Sequence, residues 1–372
     1  MSTPRPFSIS VSDDELTDLR ERLERFRPLP DSARRPSSGM TADYLGELVT
    51  TWRGWGWRTR EEWLNGHPQF LVDIEGTTVH FAHLRSRRAD APVLLVMHGW
   101  PHTFALQLDF ADLLPDFHVV VPSLPGFGFS SAYADGPITE PRMAATMHRL
   151  MTDVLGYERY VTYGEDVTAN VSDLIAASHP QSVAGIVVTH AHFPTQAERQ
   201  RLTEPDEVAF FTRLARWHAE NGAYGEIQGS RPDTLAAGLN DSPVGLLAWI
   251  AEKLTECSDT PADDPRAVER RISRDRILTE AMIYWTTQSI GTSFRPYFED
   301  EDEPHGIPQI EVPASVHIQR HERDYPESLA RWFYRDLRTF ECLDQGGHFT
   351  VAEVPDVMAE RVRGFARAIA LL

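Results

Sequence analysis

Residues 160–168, Tyr-Val-Thr-Tyr-Gly-Glu-Asp-Val-Thr, run as a short apolar strand into a small-x-Asp-x-small turn, and a helical stretch follows over 169–178. That is the layout of a nucleophile elbow, a tight strand-to-helix turn whose strained backbone tolerates little bulk on either side, a need that Gly164 and Thr168 satisfy. Asp166 stands where other elbows carry a serine. A carboxylate in this position attacks carbon directly and forms an alkyl ester, so the chemistry moves from acyl transfer toward opening an epoxide or displacing a halide. The bland reading is a solvated aspartate in a turn, so the companions of an elbow have to decide.

An elbow enzyme needs an oxyanion site, a base and an acid. After the apolar run 93–97 comes His98-Gly99-Trp100-Pro101; backbone amides from such a loop and from the residue after the nucleophile bind a developing oxyanion, which assigns Trp100 and Val167. Gly346-Gly347-His348-Phe349 follows the last apolar run, in the chain order nucleophile, acid, base, so His348 is the candidate base. The acid belongs after the run 314–318, where Glu322 and Asp324 both qualify and the pattern alone does not choose. Pro125-Gly126-Phe127-Gly128-Phe129-Ser130 lacks the third glycine of a dinucleotide fingerprint, and no acidic ribose ligand follows at the right distance. His98, His102, His190 and His192 come without a supporting motif such as His-Glu-x-x-His, so no metal is expected, nor any other cofactor.

The elements that must position these residues follow from periodicity. Ser12-Asp13-Asp14-Glu15 is a capping-box pattern opening a short amphipathic helix with Leu16, Leu19, Leu23 and Phe26 at helical spacing. A Pro- and Ser-rich stretch covers 28–38, and a helical region over 42–64 carries Trp52, Trp55, Trp57 and Trp63, which should lie flat against another apolar surface. Strands are expected over 70–74, 78–84, 93–97 and 118–121, then at the elbow, then over 185–189. Helices over 103–114 and 140–155 alternate with them, which predicts an α/β fold with a doubly wound, mostly parallel sheet. Residues 195–290 lose the strand signals and turn helical, with Phe210, Leu214 and Trp217 on one stretch and Leu246, Ile250 and Leu254 on another, a helical cap inserted in the α/β domain. Glu299-Asp300-Glu301-Asp302-Glu303 reads as a solvated linker. Strands resume over 314–318 and 339–343, and an amphipathic helix over 357–371 closes the chain. The expected division is an N-terminal helical segment 1–68, a first core part 69–194, a cap 195–298 and a second core part 299–372.

At 372 residues the chain is long enough for one large α/β domain with an insertion or for two ordinary domains. Its formal charge of −19 argues against nucleic acid and anionic membrane surfaces, both of which need a basic patch. Nearly all the positive charge is arginine, since Lys253 is the only lysine. Cys257 and Cys342 give neither a disulfide framework nor a metal spacing. No long apolar window and no signal-peptide pattern is present, so a cytoplasmic protein is expected. Oligomeric state is not legible; a homodimer is compatible with the sequence.

Over almost its full length the chain resembles the epoxide hydrolases of the α/β-hydrolase superfamily that carry an N-terminal meander, the group related to the microsomal and juvenile-hormone enzymes. The resemblance rests on Trp63-Leu64-Asn65 with Pro68-Gln69-Phe70, on His98-Gly99-Trp100-Pro101, on residues 122–130, and on Tyr224 with Ile227-Gln228 and Arg231-Pro232. Asp241-Ser242-Pro243-Val244-Gly245, Tyr284-Trp285, Arg295-Pro296-Tyr297 and Gly346-Gly347-His348-Phe349 extend it. It implies an α/β-hydrolase fold with an inserted helical cap and an N-terminal helical meander. It also implies Asp166 as nucleophile, His348 as the base that activates water, and Glu322 as the acidic partner, since counting back from His348 without a gap reaches that position. Tyr224 and Tyr297 would be the cap tyrosines that hold the epoxide oxygen, and the reactants would be a small hydrophobic epoxide and water.

The chain departs from the family pattern in two places. Gly164-Glu165-Asp166-Val167-Thr168 replaces the usual Gly-Gly-Asp-Trp-Gly, so a tryptophan that often walls the pocket is missing and the cavity is expected to differ in shape. Gln319-Arg320-His321-Glu322 replaces Phe-Pro-x-Glu before the acid. Haloalkane dehalogenases share the Asp elbow and the base, but they grip halide with donors that typically include a tryptophan where this chain has Val167; that and the paired tyrosines favour an epoxide. A non-catalytic binding protein on the same fold is a third reading, weakened by the joint presence of Asp166, a candidate acid and His348.

Overall fold

A computed structural model describes residues 3–31, 39–300 and 306–372. Among these, nine strands form one sheet in the order β1-β2-β3-β5-β4-β6-β7-β8-β9. They are β1 (Arg5–Phe7), β2 (Gln69–Ile74), β3 (Thr77–Leu84), β4 (Val93–Val96), β5 (His118–Pro122), β6 (Tyr160–Gly164), β7 (Val183–Val188), β8 (Ile310–Ile318) and β9 (Tyr334–Cys342). The pairings from β1 to β5 are antiparallel, and those from β5 through β4 to β9 are parallel. β4, β5, β6 and β7 are buried at every residue, as continuous apolar runs require when helices cover both faces. Helix Phe104–Asp112 packs with Pro355–Ala368, and Glu140–Arg149 packs with Val167–Ser178.

The cap leaves the sheet after β7 and returns as β8, although those two strands are neighbours in register, Ile186 facing Ala314. The described residues between them, 189–300 and 306–309, are therefore an excursion above the carboxyl ends of the parallel strands, where ligands of open α/β sheets bind. Helix Pro243–Glu256 buries Leu246, Leu247, Ile250, Ala251 and Leu254, and burial of each of its leucine and isoleucine side chains stabilises by about 1.5–3 kcal/mol. The tryptophan-rich segment finds its apolar surface on the cap. Trp52 and Trp57 are buried, Trp55 Nε1 donates to Asp275 at 2.6 Å and Arg60 donates to Thr279 at 2.9 Å, both on helix Arg274–Thr287. The N-terminal helices thus brace the cap from behind.

Four features differ from the sequence reading. β1 was not expected: it is a three-residue edge strand with Pro6 at its middle, too short to show alternation. The helical region 42–64 is two helices, Ala42–Gly54 and Trp57–Asn65, because Trp55 turns extended (φ −71°, ψ 133°) before Gly56. β9 begins at Tyr334, five residues before the expected strand, since Arg335, Asp336 and Arg338 on this edge strand hide the apolar pattern. The acidic run is not simply solvated: Glu299 ends helix Arg295–Glu299 and accepts the Ile138 N–H at 2.8 Å, and Asp300 accepts the Glu140 N–H at 3.1 Å. Residues 301–303 of that run, and 32–38 of the Pro- and Ser-rich stretch, lie outside the described residues. The capping box forms as expected, Ser12 and Glu15 bonding each other's backbone amides. Among the described residues no helix is long and apolar enough to cross a membrane.

Candidate active site

β6 ends in the elbow. Asp166 sits at φ 53° and ψ −142°, a conformation unfavourable for a residue with a Cβ, and caps helix Val167–Ser178 by accepting the Val167 N–H on Oδ1. Such a turn is possible only where neighbours are small or specifically bonded. A Cβ on Gly164 would lie 2.2 Å from the Thr168 carbonyl oxygen, and one on Gly99 would lie 2.4 Å from Asp166 Cβ. Thr168 does more than stay small, since its Oγ1 accepts the Glu165 N–H at 3.1 Å and donates to the Glu165 carbonyl at 2.6 Å.

The other predicted residues of the core follow the carboxyl ends of other strands of the sheet. His348 Nε2 lies 2.8 Å from Asp166 Oδ2. Its loop is held by the cap: the His348 N–H donates to the Cys257 carbonyl at 2.9 Å, and a Cβ on Gly347 would meet that oxygen at 2.6 Å. Glu322 ends a 3-10 turn, Arg320–Glu322, joined to the base loop by the Arg320 N–H on the Gly346 carbonyl at 3.0 Å. Glu322 reaches His348 through its charge; among the described residues no hydrogen bond joins the two, and Glu322 Oε2 is buried without a partner. Asp324 is turned outward and pairs with Arg213 of the cap. Of the two acids left open by the pattern, Glu322 is the one whose charge acts on His348.

Asp166 and His348 are partly buried, with side chains 19% and 22% exposed, so both remain reachable. Burial opposes the Asp166 charge, but the His348 hydrogen bond and the surrounding imidazoles outweigh it and draw the carboxyl down to about 2. Burial likewise opposes a charged imidazole, but Asp166, helped by Glu165 and Glu322, holds His348 above its ordinary value.

From the cap, Tyr224 on helix Ala223–Ser230 and Tyr297 on helix Arg295–Glu299 converge on Trp100. Tyr224 stacks on the indole (5.4 Å between centroids, 12°), Tyr297 meets it edge-on (6.1 Å, 84°), and the two tyrosine rings lie 6.2 Å apart. Burial first, and the Asp166 charge next, push the Tyr224 phenol up; burial and its two neighbours, Tyr224 and Asp166, do the same to Tyr297. Both remain protonated donors at neutral pH. Lys253 Nζ lies 4.8 Å from the Tyr224 ring centroid while pairing with Glu252 and Glu256.

Several residues take parts that the sequence did not assign to them. His190 follows β7 and accepts the Asp166 N–H on Nδ1 at 3.0 Å; burial pushes it down to about 3, so it is a neutral acceptor that holds the elbow. A polar residue directly after a buried parallel strand was the available signal. His98 uses both ring nitrogens on backbone, Nδ1 on the Gly99 carbonyl and Nε2 on the Leu124 N–H, and His102 turns to Glu165. Nothing in the local sequence marks the clamp in which Asp259 accepts the Gly346 N–H and pairs with Arg320 and Arg271.

An elbow, a base loop and an oxyanion loop at the carboxyl edge of a mostly parallel sheet define an α/β-hydrolase. Residues 92–222 match the alpha/beta hydrolase fold family, and residues 4–106 match the family described as Epoxide hydrolase N terminus. Epoxide hydrolase 1 of Sus scrofa is 32% identical over 403 residues, covering 97% of this chain and 88% of its own. The crystal structure of juvenile hormone epoxide hydrolase from the silkworm Bombyx mori superposes with a TM-score of 0.90 at 26% identity, over 100% of this chain and 95% of that one. The Aspergillus niger epoxide hydrolase structure gives 0.84 at 27% identity, over 99% and 97%. The chain belongs to the epoxide hydrolase family.

Proposed function

We propose that this epoxide hydrolase opens a hydrophobic epoxide through a covalent ester on Asp166. The observation that carries the reading is an ionised carboxylate 2.8 Å from the His348 imidazole, beneath two cap tyrosines held in the protonated form. An Asp166 oxygen attacks a ring carbon in line with the breaking C–O bond, and the ring oxygen takes a proton from Tyr224 or Tyr297. His348 then removes a proton from water, the hydroxide adds to the Asp166 carboxyl carbon, and the amides of Trp100 and Val167 face the oxyanion that forms. Collapse expels the diol oxygen, which takes the proton from His348; the carboxylic acid left on Asp166 gives its remaining proton to the tyrosinate, which restores the tyrosine and the Asp166 carboxylate. Glu322 favours the imidazolium by its charge. No step needs a metal or an organic cofactor.

Changing both tyrosines to phenylalanine is expected to slow single-turnover ester formation by about 10²–10⁴-fold, the usual contribution of a general acid, with little loss of stability. An unchanged rate of ester formation in rapid-quench experiments with styrene oxide would remove them from this role.

The two half-reactions also separate with pH. Ester formation rests on the Asp166 carboxylate, which stays ionised down to about 2. Hydrolysis needs neutral His348, so as pH falls through the imidazole titration it slows by about tenfold per pH unit. Esterification itself helps, because it removes the Asp166 charge that favours the imidazolium. The ester fraction at steady state, read by intact-protein mass spectrometry, is expected to rise as the medium is acidified; a fraction independent of pH contradicts His348 as the base.

A further inference from the structure

Glu165 precedes the nucleophile, and its side chain is completely buried. Oε1 accepts from Gln107 Nε2 at 2.8 Å and faces His102 Nε2 at the same distance, and Oε2 accepts the Tyr163 hydroxyl at 2.7 Å. A buried ionised carboxylate is costly unless its lone pairs are met. Here the partners come from three places: the oxyanion loop, helix Phe104–Asp112 and β6. His102 Nε2 also lies 3.0 Å from the Gly99 amide nitrogen, and the His102 ring packs edge-on against Phe349, the neighbour of the base, at 5.1 Å. Glu165 therefore ties the elbow to the loop carrying Trp100 and, through His102, to the loop carrying His348.

We propose that Glu165 is a positioning residue of this reaction, a buried carboxylate that fixes the oxyanion loop through His102 and keeps a negative charge behind the elbow throughout the reaction. The proposal deepens the covalent mechanism above and rests on it for its kinetic consequence. Charged and titratable groups facing His348 are Asp166 on the elbow, Glu165 behind it, His190 after β7, and His321 and Glu322 after β8. Those facing Glu165 are His102, Tyr163, His98, His190 and His348. Asp166 loses its charge when it is alkylated. Burial pushes Glu322 up to about 7, so its charge fades in mild acid. Burial also opposes the Glu165 charge, but His102, Tyr163 and Gln107 outweigh it and hold the group below its ordinary value. During hydrolysis, Glu165 is the acidic neighbour of the base that stays ionised.

The test is the imidazole titration of His348 in the full-length protein, by NMR of a sample labelled in histidine with carbon-13, the resonance assigned by its loss in His348→Gln. Glu165→Gln keeps the shape and removes the charge, and is expected to lower the His348 midpoint, a drop in proton affinity of at least about threefold. Glu165→Asp keeps the charge and is expected to hold the midpoint within about twofold of wild type. With styrene oxide, the acid limb of ester hydrolysis is expected to shift in Glu165→Gln by the same amount and in the same direction, with KM unchanged. A midpoint unmoved in Glu165→Gln, or one that falls as far in Glu165→Asp, overturns the proposal. If circular dichroism shows that the Gln variant does not fold, the Asp variant decides alone, and a threefold or larger drop there overturns it. A wild-type protein that forms no ester with styrene oxide would count against the covalent mechanism on that substrate, while the titration would still decide the role of Glu165.

Discussion

Asp166→Ala is expected to lower turnover of an epoxide by at least about 10⁴-fold, the scale on which removal of a covalent nucleophile acts, while the protein stays folded. The Val167 N–H loses its cap acceptor, at about 1 kcal/mol, and the strained turn remains strained with alanine in place of aspartate. Against this, a buried charge is removed. The change also deletes the strongest influence holding a proton on His348, so the imidazole of the variant is expected to titrate lower than in the wild type. Turnover within tenfold of wild type, in a variant whose circular dichroism matches it, would remove Asp166 from the chemistry.

Gly99→Ala is expected to cost on the order of 10²-fold in kcat/KM, the usual penalty for displacing a reacting group by about 1 Å. Its Cβ would sit 2.4 Å from Asp166 Cβ and 2.7 Å from Asp166 Cγ, so either the nucleophile or the oxyanion loop has to move. Crowding of this kind also destabilises, by about 1–3 kcal/mol. Gly364→Ala is the matched control. It lies inside helix Pro355–Ala368 with nothing within 4 Å of its added Cβ, and is expected to raise stability by about 0.5–1 kcal/mol with unchanged kinetics. Equal kinetics for Gly99→Ala and Gly364→Ala would show that close approach at Gly99 is not needed.

What could be read from the sequence follows the backbone. The places of Asp166, His98-Gly99 and His348 at the ends of buried strands were legible because buried parallel strands announce themselves as apolar runs. The acid was not decided by pattern, because Glu322 and Asp324 stand two residues apart on one turn and differ only in what covers them. Arg213, which pairs with Asp324, lies 111 residues away on the cap. Tyr224 and Tyr297 meet each other and Trp100 only in the folded chain, and a tyrosine in a helix reads as packing until those partners are known. They entered through family resemblance. Glu165 was visible as a departure from the family pattern, but its meaning depends on His102, Gln107 and Tyr163 converging from separate elements. The same limit hid β1 and the anchoring of Glu299, since short edge strands and long-range caps leave no periodic trace.

The covalent ester is tested most directly by intact-protein mass spectrometry of His348→Gln after incubation with styrene oxide, followed by peptide mapping. With ester formation intact and hydrolysis blocked, the predicted result is one adduct per chain, equal in mass to the whole epoxide and mapping to Asp166. Diol formed at the wild-type rate without an adduct, or an adduct mapping to another residue, would contradict the account.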